Sequence, residues 1–145
     1  MIRVITTVAP WVIVGAVLIP PAIKQLEPAE NWFRVTSITI ADSAPGKPII
    51  MNVSRSISRP FVGDWVATVR HVGSDGVAVV CVANGTSAYR LDAVYPHPLT
   101  LDWWTYPIKC DLPVVRYRLD TVWRFEVASG VTKMVSAESN VFEIR

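Results

Sequence analysis

Between Tyr117 and Val127 every second residue is apolar or threonine: Tyr117, Leu119, Thr121, Trp123, Phe125 and Val127 alternate with Arg116, Arg118, Asp120, Arg124 and Glu126 between them. A repeat of two places successive side chains on opposite faces, which an extended strand satisfies and a helix does not. One face of this strand is charged and the other must be buried. An antiparallel sheet with one wetted face meets that demand.

The same period runs through much of the chain. Trp32 to Ile40 is rich in β-branched residues and closes on the turn signal Asp42-Ser43-Ala44-Pro45-Gly46. Ile49, Met51, Val53 and Ile57 then alternate with Asn52, Ser54, Ser56 and Ser58. Arg55 and Arg59 fall on the apolar face of that register, so a bulge or an exit from the core is expected near this strand's end. Phe61 to Val72 carries Trp65, Ala67 and Val69 on one side, and Gly73-Ser74-Asp75-Gly76 supplies a hairpin loop. Val77 to Ala83 is apolar on both faces, as in a central strand, and Asn84-Gly85 is a strong hairpin signal. The expected unit is a three-stranded meander from about Phe61 to Leu91. After the stiff Tyr95-Pro96-His97-Pro98, a short strand is expected over Leu99–Trp104 and a loop over Thr105–Pro113. Ser129-Gly130 turns the long strand back, and Val131–Ser136 and Asn140–Ile144 complete the sheet. Eight or nine short strands with no helical period among them predict an all-β fold, an antiparallel β-sandwich over residues 31–145.

Leu112-Pro113 followed by Tyr117 at the head of a long alternating strand resembles the tyrosine corner of immunoglobulin-like and fibronectin-type-III domains, and Trp65 is placed similarly to their core tryptophan. The resemblance covers Trp32 to Arg145 as an architecture and implies an immunoglobulin-like sandwich. The cysteines depart from the antibody pattern: Cys81 precedes the Leu-Pro-Tyr segment by a whole strand and Cys110 lies just before it.

Ahead of the strands stands Val4–Ile23, which holds no charged residue and is flanked by Arg3 and Lys24. As a helix it is just long enough for a hydrocarbon core of roughly 30 Å. Pro10 lies inside it, and Pro20 and Pro21 are expected to end it. The expectation is an uncleaved N-terminal signal anchor over residues 1–23, then a linker over residues 24–30. Arg3 before the span, and Glu27 and Glu30 offsetting Lys24 after it, put the amino terminus inside and the bulk in the periplasm or outside the cell. A cleaved signal peptide competes, but positions before Ala22 and Ala29 lack the small-residue cleavage pattern. A second competitor is a helix packed against sister subunits in an assembly such as a phage virion.

Charge and motifs narrow the function. A formal charge of +2 with arginines scattered among acids leaves no footprint for nucleic acid. Gly-rich phosphate loops, paired-histidine helices and Cys-x-x-Cys are missing from the sequence, so no enzyme activity, cofactor or metal is expected. His71 and His97 lack a nucleophile elbow, and Asp64, Asp75, Asp92, Asp102 and Asp111 are spaced for turn capping rather than for calcium. Cys81 and Cys110 are spaced unlike a zinc site and are expected to pair in an oxidising compartment. On a strand Trp103 and Trp104 face opposite sides. One can fill the core while the other must be covered by the second sheet's edge, the lipid surface, a glycan or a protein partner; Trp103, Trp104 and Tyr106 are therefore the candidate surface for a protein partner or a second copy. The expected function is therefore a non-catalytic binding or structural module.

Overall fold

The computed structural model describes residues 23, 25–105 and 110–145; the proposed anchor over 4–23 lies outside the described residues apart from Ile23. No helix among the described residues is long and apolar enough to cross a membrane. The described residues form eight strands: β1 (Phe33–Ile40), β2 (Ile50–Ile57), β3 (Phe61–Gly73), β4 (Gly76–Tyr89), β5 (Leu99–Thr100), β6 (Arg116–Ala128), β7 (Val131–Glu138) and β8 (Phe142–Glu143). They form two antiparallel sheets, β1-β2-β5 and β4-β3-β6-β7, with β8 pairing the start of β6. The all-β expectation holds.

The alternation in β6 does what its period requires. Tyr117, Leu119, Thr121, Trp123, Phe125 and Val127 are all buried, and Trp123 meets Phe33 of the facing sheet at 5.2 Å between ring centroids. On the opposite face Asp120 binds Arg118 at 2.9 Å and Arg70 at 2.5 Å, which relieves the cross-strand pairing of two arginines. Among inward polar groups, the Thr121 hydroxyl has no hydrogen-bond partner. The Tyr117 hydroxyl donates to the Pro113 carbonyl at 2.8 Å and ties the loop before β6 to that strand.

On one flank β1 and β7 close the sandwich, where Ile38 bridges Ser139 and the Asn140 side chain exchanges hydrogen bonds with both backbone groups of Ile40. The other flank lies between β4 and β5. A short helix, α1 (Leu101–Thr105), packs there against both strands.

Four expectations about turns, strands and the core tryptophan need correction. Asn84-Gly85 is not a turn: β4 runs unbroken to Tyr89, so the meander is a two-stranded hairpin closed by Ser74-Asp75. Gly85 is small for another reason. A β-carbon there would stand 2.9 Å from the Trp65 ring. Second, β4 is an edge strand rather than a central one. Its valines on both faces reflect a register shift at Val80, beyond which Val77, Val79 and Val80 stand exposed.

Third, Leu99–Trp104 is not all strand. Thr100 accepts the Trp103 N–H at 3.3 Å as an N-cap, and Leu101, Trp104 and Thr105 then share the buried face of a helical turn. Fourth, Trp65 is only half-buried, and the fully buried indole is Trp123.

The segment before β1 is docked rather than free. Glu27 accepts from the Trp32 indole at 3.2 Å and pairs with Arg59 at 2.9 Å, and Lys133 donates to the Gln25 carbonyl at 2.7 Å. The Trp32 bond, followed by the Arg59 charge, holds the Glu27 carboxyl below its usual range.

Candidate functional site: an aromatic cavity on the open flank

Aromatic rings lead from the core to the surface on the flank between β4 and β5. Trp123 meets Trp104 at 5.9 Å, Trp104 meets Tyr95 at 5.7 Å, and Tyr95 meets Trp103 at 5.9 Å. Trp104 is 4% exposed and Trp103 52% exposed, so the two indoles divide between core and surface, on a helical turn rather than on a strand. Tyr106 lies outside the described residues.

Beside this chain of rings opens a cavity of about 320 Å³, lined from β2 by Arg55, from β3 by Trp65, from β4 by Ser87 and Tyr89, and from the following segment by Val94 and Tyr95; Trp103 and Trp104 form its remaining wall. Trp65 is fixed across Gly85, with its indole N–H donating to the Ser87 hydroxyl at 3.2 Å. A larger residue at position 85 would push this ring out of its seat.

Arg55 does not leave the core as expected. The irregularity falls on the neighbouring strand, where β1 shifts register between Val35 and Ser37, and Arg55 keeps its inward place opposite Val35. Its guanidinium lies 3.7 Å from the Tyr95 ring centroid and 5.6 Å from that of Tyr89. Nη1 donates to the Tyr95 hydroxyl at 2.8 Å and Nη2 to the Ala93 carbonyl at 3.5 Å. Such stacking offsets part of the desolvation of the cation. Burial pushes the Tyr95 phenol above its usual pKa, opposed by the nearby Arg55 charge, and burial raises the Tyr89 phenol as well. Both rings are therefore neutral walls at any physiological pH.

Cys81 of β4 is bonded to Cys110, with the two α-carbons 5.8 Å apart. The bond fastens Cys110, ahead of the Tyr117 corner, to the inward face of the edge strand. Its position differs from a bond between the central strands of two sheets. In the chain-entropy picture a loop of this length contributes about 3 to 4 kcal/mol.

Other chemistry-bearing residues stay apart. His71 packs edge-on to Tyr117 at 6.2 Å, His97 precedes Pro98 in the loop before β5, and neither makes a side-chain hydrogen bond among the described residues. Ser74 donates to Asp75 rather than to His71. No group of three His, Cys, Asp or Glu side chains suited to a metal ion occurs among the described residues.

Sequence reasoning found the pair Trp103 and Trp104 but missed the cavity beside them. Trp65 read as core, Tyr95 as part of a stiff connector, and Arg55 as a strand end. The available signal was an arginine at an inward position of an otherwise apolar alternation.

No protein-family model, no curated protein and no solved structure matches the chain.

Proposed function

We propose that this chain is a membrane-anchored, extracytoplasmic binding module that acts without catalysis, engaging its ligand or partner through the aromatic cavity on the open flank. The carrying observation is that cavity, with Trp103 half-exposed at its wall and its floor fixed by the packed Trp104. Exposed aromatic anchors backed by a rigid core are the groups that carry binding energy at recognition sites. The class of fold we infer is immunoglobulin-like. The sheet order β4-β3-β6-β7 against β1-β2-β5 and the Tyr117 bond to Pro113 support it. Export is supported by the Cys81–Cys110 bond, since structural disulfides persist in oxidising compartments.

A photo-crosslinking residue at Val94, which is 89% exposed on the cavity rim, tests the binding reading in the full chain in its own membrane. A discrete adduct that Trp103→Ala abolishes is expected. A diffuse smear unaffected by Trp103→Ala would overturn it.

One observation favours a second reading, a virion or other assembly component. From Gly76 to Tyr89 the edge strand β4 has no charge and no proline, and Val77, Val79, Val80 and Val82 are exposed along it. Natural edge strands carry such charges or prolines to prevent pairing. A second copy of β4 suits this edge, because an antiparallel two-fold pairing of an uncharged strand opposes no like charges. Resistance to alkaline extraction from membranes supports the anchor, whereas recovery in lipid-free particles, with loss of self-association in Val79→Lys, supports the assembly.

A further inference from the structure

Arg55 is a half-buried cation without a counter-charge. All twelve Asp and Glu residues of the chain are within the described residues, and none forms an ion pair with it. Asp92, close by in sequence to Ala93, is taken by Arg90 at 2.9 Å. The Tyr95 and Ala93 contacts take one N–H from each of Nη1 and Nη2, both to neutral oxygens, and leave the remaining N–H groups without a charged acceptor. A guanidinium taken from water and denied an anion is an unfavourable arrangement that a bound carboxylate relieves, and its planar fork matches a carboxylate with two parallel bonds.

The surroundings add two features. Trp65 donates its indole N–H to Ser87, and the Ser87 hydroxyl, which also stands beside the Tyr89 phenol, keeps its own proton to donate at the cavity wall. Trp65 and Trp103 offer indole faces, which stack on planar groups or on the C–H face of a sugar ring. A volume of about 320 Å³ is at the small end of ligand sites and suits one residue or one ring.

We propose that the cavity binds a ligand presenting a carboxylate next to a flat apolar body, with the carboxylate on Arg55 and Ser87 and the body against Trp65 and Trp103. The proposal rests on the binding reading above and deepens it. Two sources present that chemistry, the free carboxyl end of a peptide and an acidic sugar.

Binding to the full chain in detergent micelles is followed by tryptophan fluorescence and calorimetry with two matched pairs: N-acetylphenylalanine against its amide, and glucuronate against glucose. The expected result is at least ten-fold tighter binding of the acid than of its neutral partner in one pair, which identifies the source. Arg55→Gln is expected to erase that preference while leaving the melting temperature within a few degrees. Should Arg55→Gln not fold, the acid-to-neutral ratio in the native chain and its weakening by Ser87→Ala carry the test alone. Equal binding of acid and neutral members, lost together in Trp103→Ala, would retain the cavity as a binding site and overturn the carboxylate. If no probe of either charge perturbs the tryptophans, the carboxylate falls, and the binding reading stands or falls with the Val94 crosslink.

Discussion

The six-membered ring of Trp65 lies directly over Gly85, 2.9 Å from where a β-carbon of residue 85 would stand. This contact sets the far wall of the cavity. It also explains a glycine in the interior of β4, where the residue weakens the strand and is tolerated for close approach. Gly85→Ala is expected to force the indole off Ser87, at a cost of about 1 to 3 kcal/mol. A red-shifted tryptophan emission with a lower melting temperature checks it. An unchanged spectrum would mean that Trp65 is not seated as described.

Thr121 presents an unpartnered hydroxyl to the core, 1% exposed, between Leu119 and Trp123. Removing a buried group that makes no hydrogen bond, at nearly constant shape, relieves its desolvation penalty. Thr121→Val is expected to stabilise the fold by about 1 kcal/mol, read as a rise of a few degrees in thermal melting. The reverse sign would reveal a partner for the hydroxyl.

Three phenols, Tyr89, Tyr95 and Tyr117, have pKa values raised chiefly by burial. Each is higher in the folded than in the unfolded chain, so its contribution to stability is complete below the usual tyrosine pKa of 10.0 and is lost as pH rises beyond it. Absorbance at alkaline pH is expected to show these three ionising late and together with unfolding. Ordinary, independent titration of all three near pH 10 would contradict their burial.

Much of the architecture was legible because burial and period coincide. The inward positions of β6 are those its alternation marks, and the Gly73–Gly76 loop turns where its glycines predict, with φ of 122° at Gly76. The failures share a cause: residue types that serve two physical roles. Gly85 reads as turn chemistry but answers to a ring packed on it. The valines of β4 read as a doubly buried strand but belong to an exposed edge with a shifted register. Leu99–Trp104 reads as a strand because five residues are too few to display a helical period, and only the Thr100 cap marks the change. The cavity itself was not legible, since Arg55, Trp65, Ser87 and Tyr95 come from separate stretches that meet only where the two sheets face each other and the segment after β4 runs beside them.

The proposal of an exported, anchored module is tested most directly by its cysteines. Cells producing the full chain are treated with a membrane-impermeant thiol reagent, before and after mild reduction from outside. No labelling before reduction and labelling of both Cys81 and Cys110 after it, without permeabilising the membrane, is the expected result. Labelling without reduction, or only after permeabilisation, would contradict the extracytoplasmic placement of the sandwich.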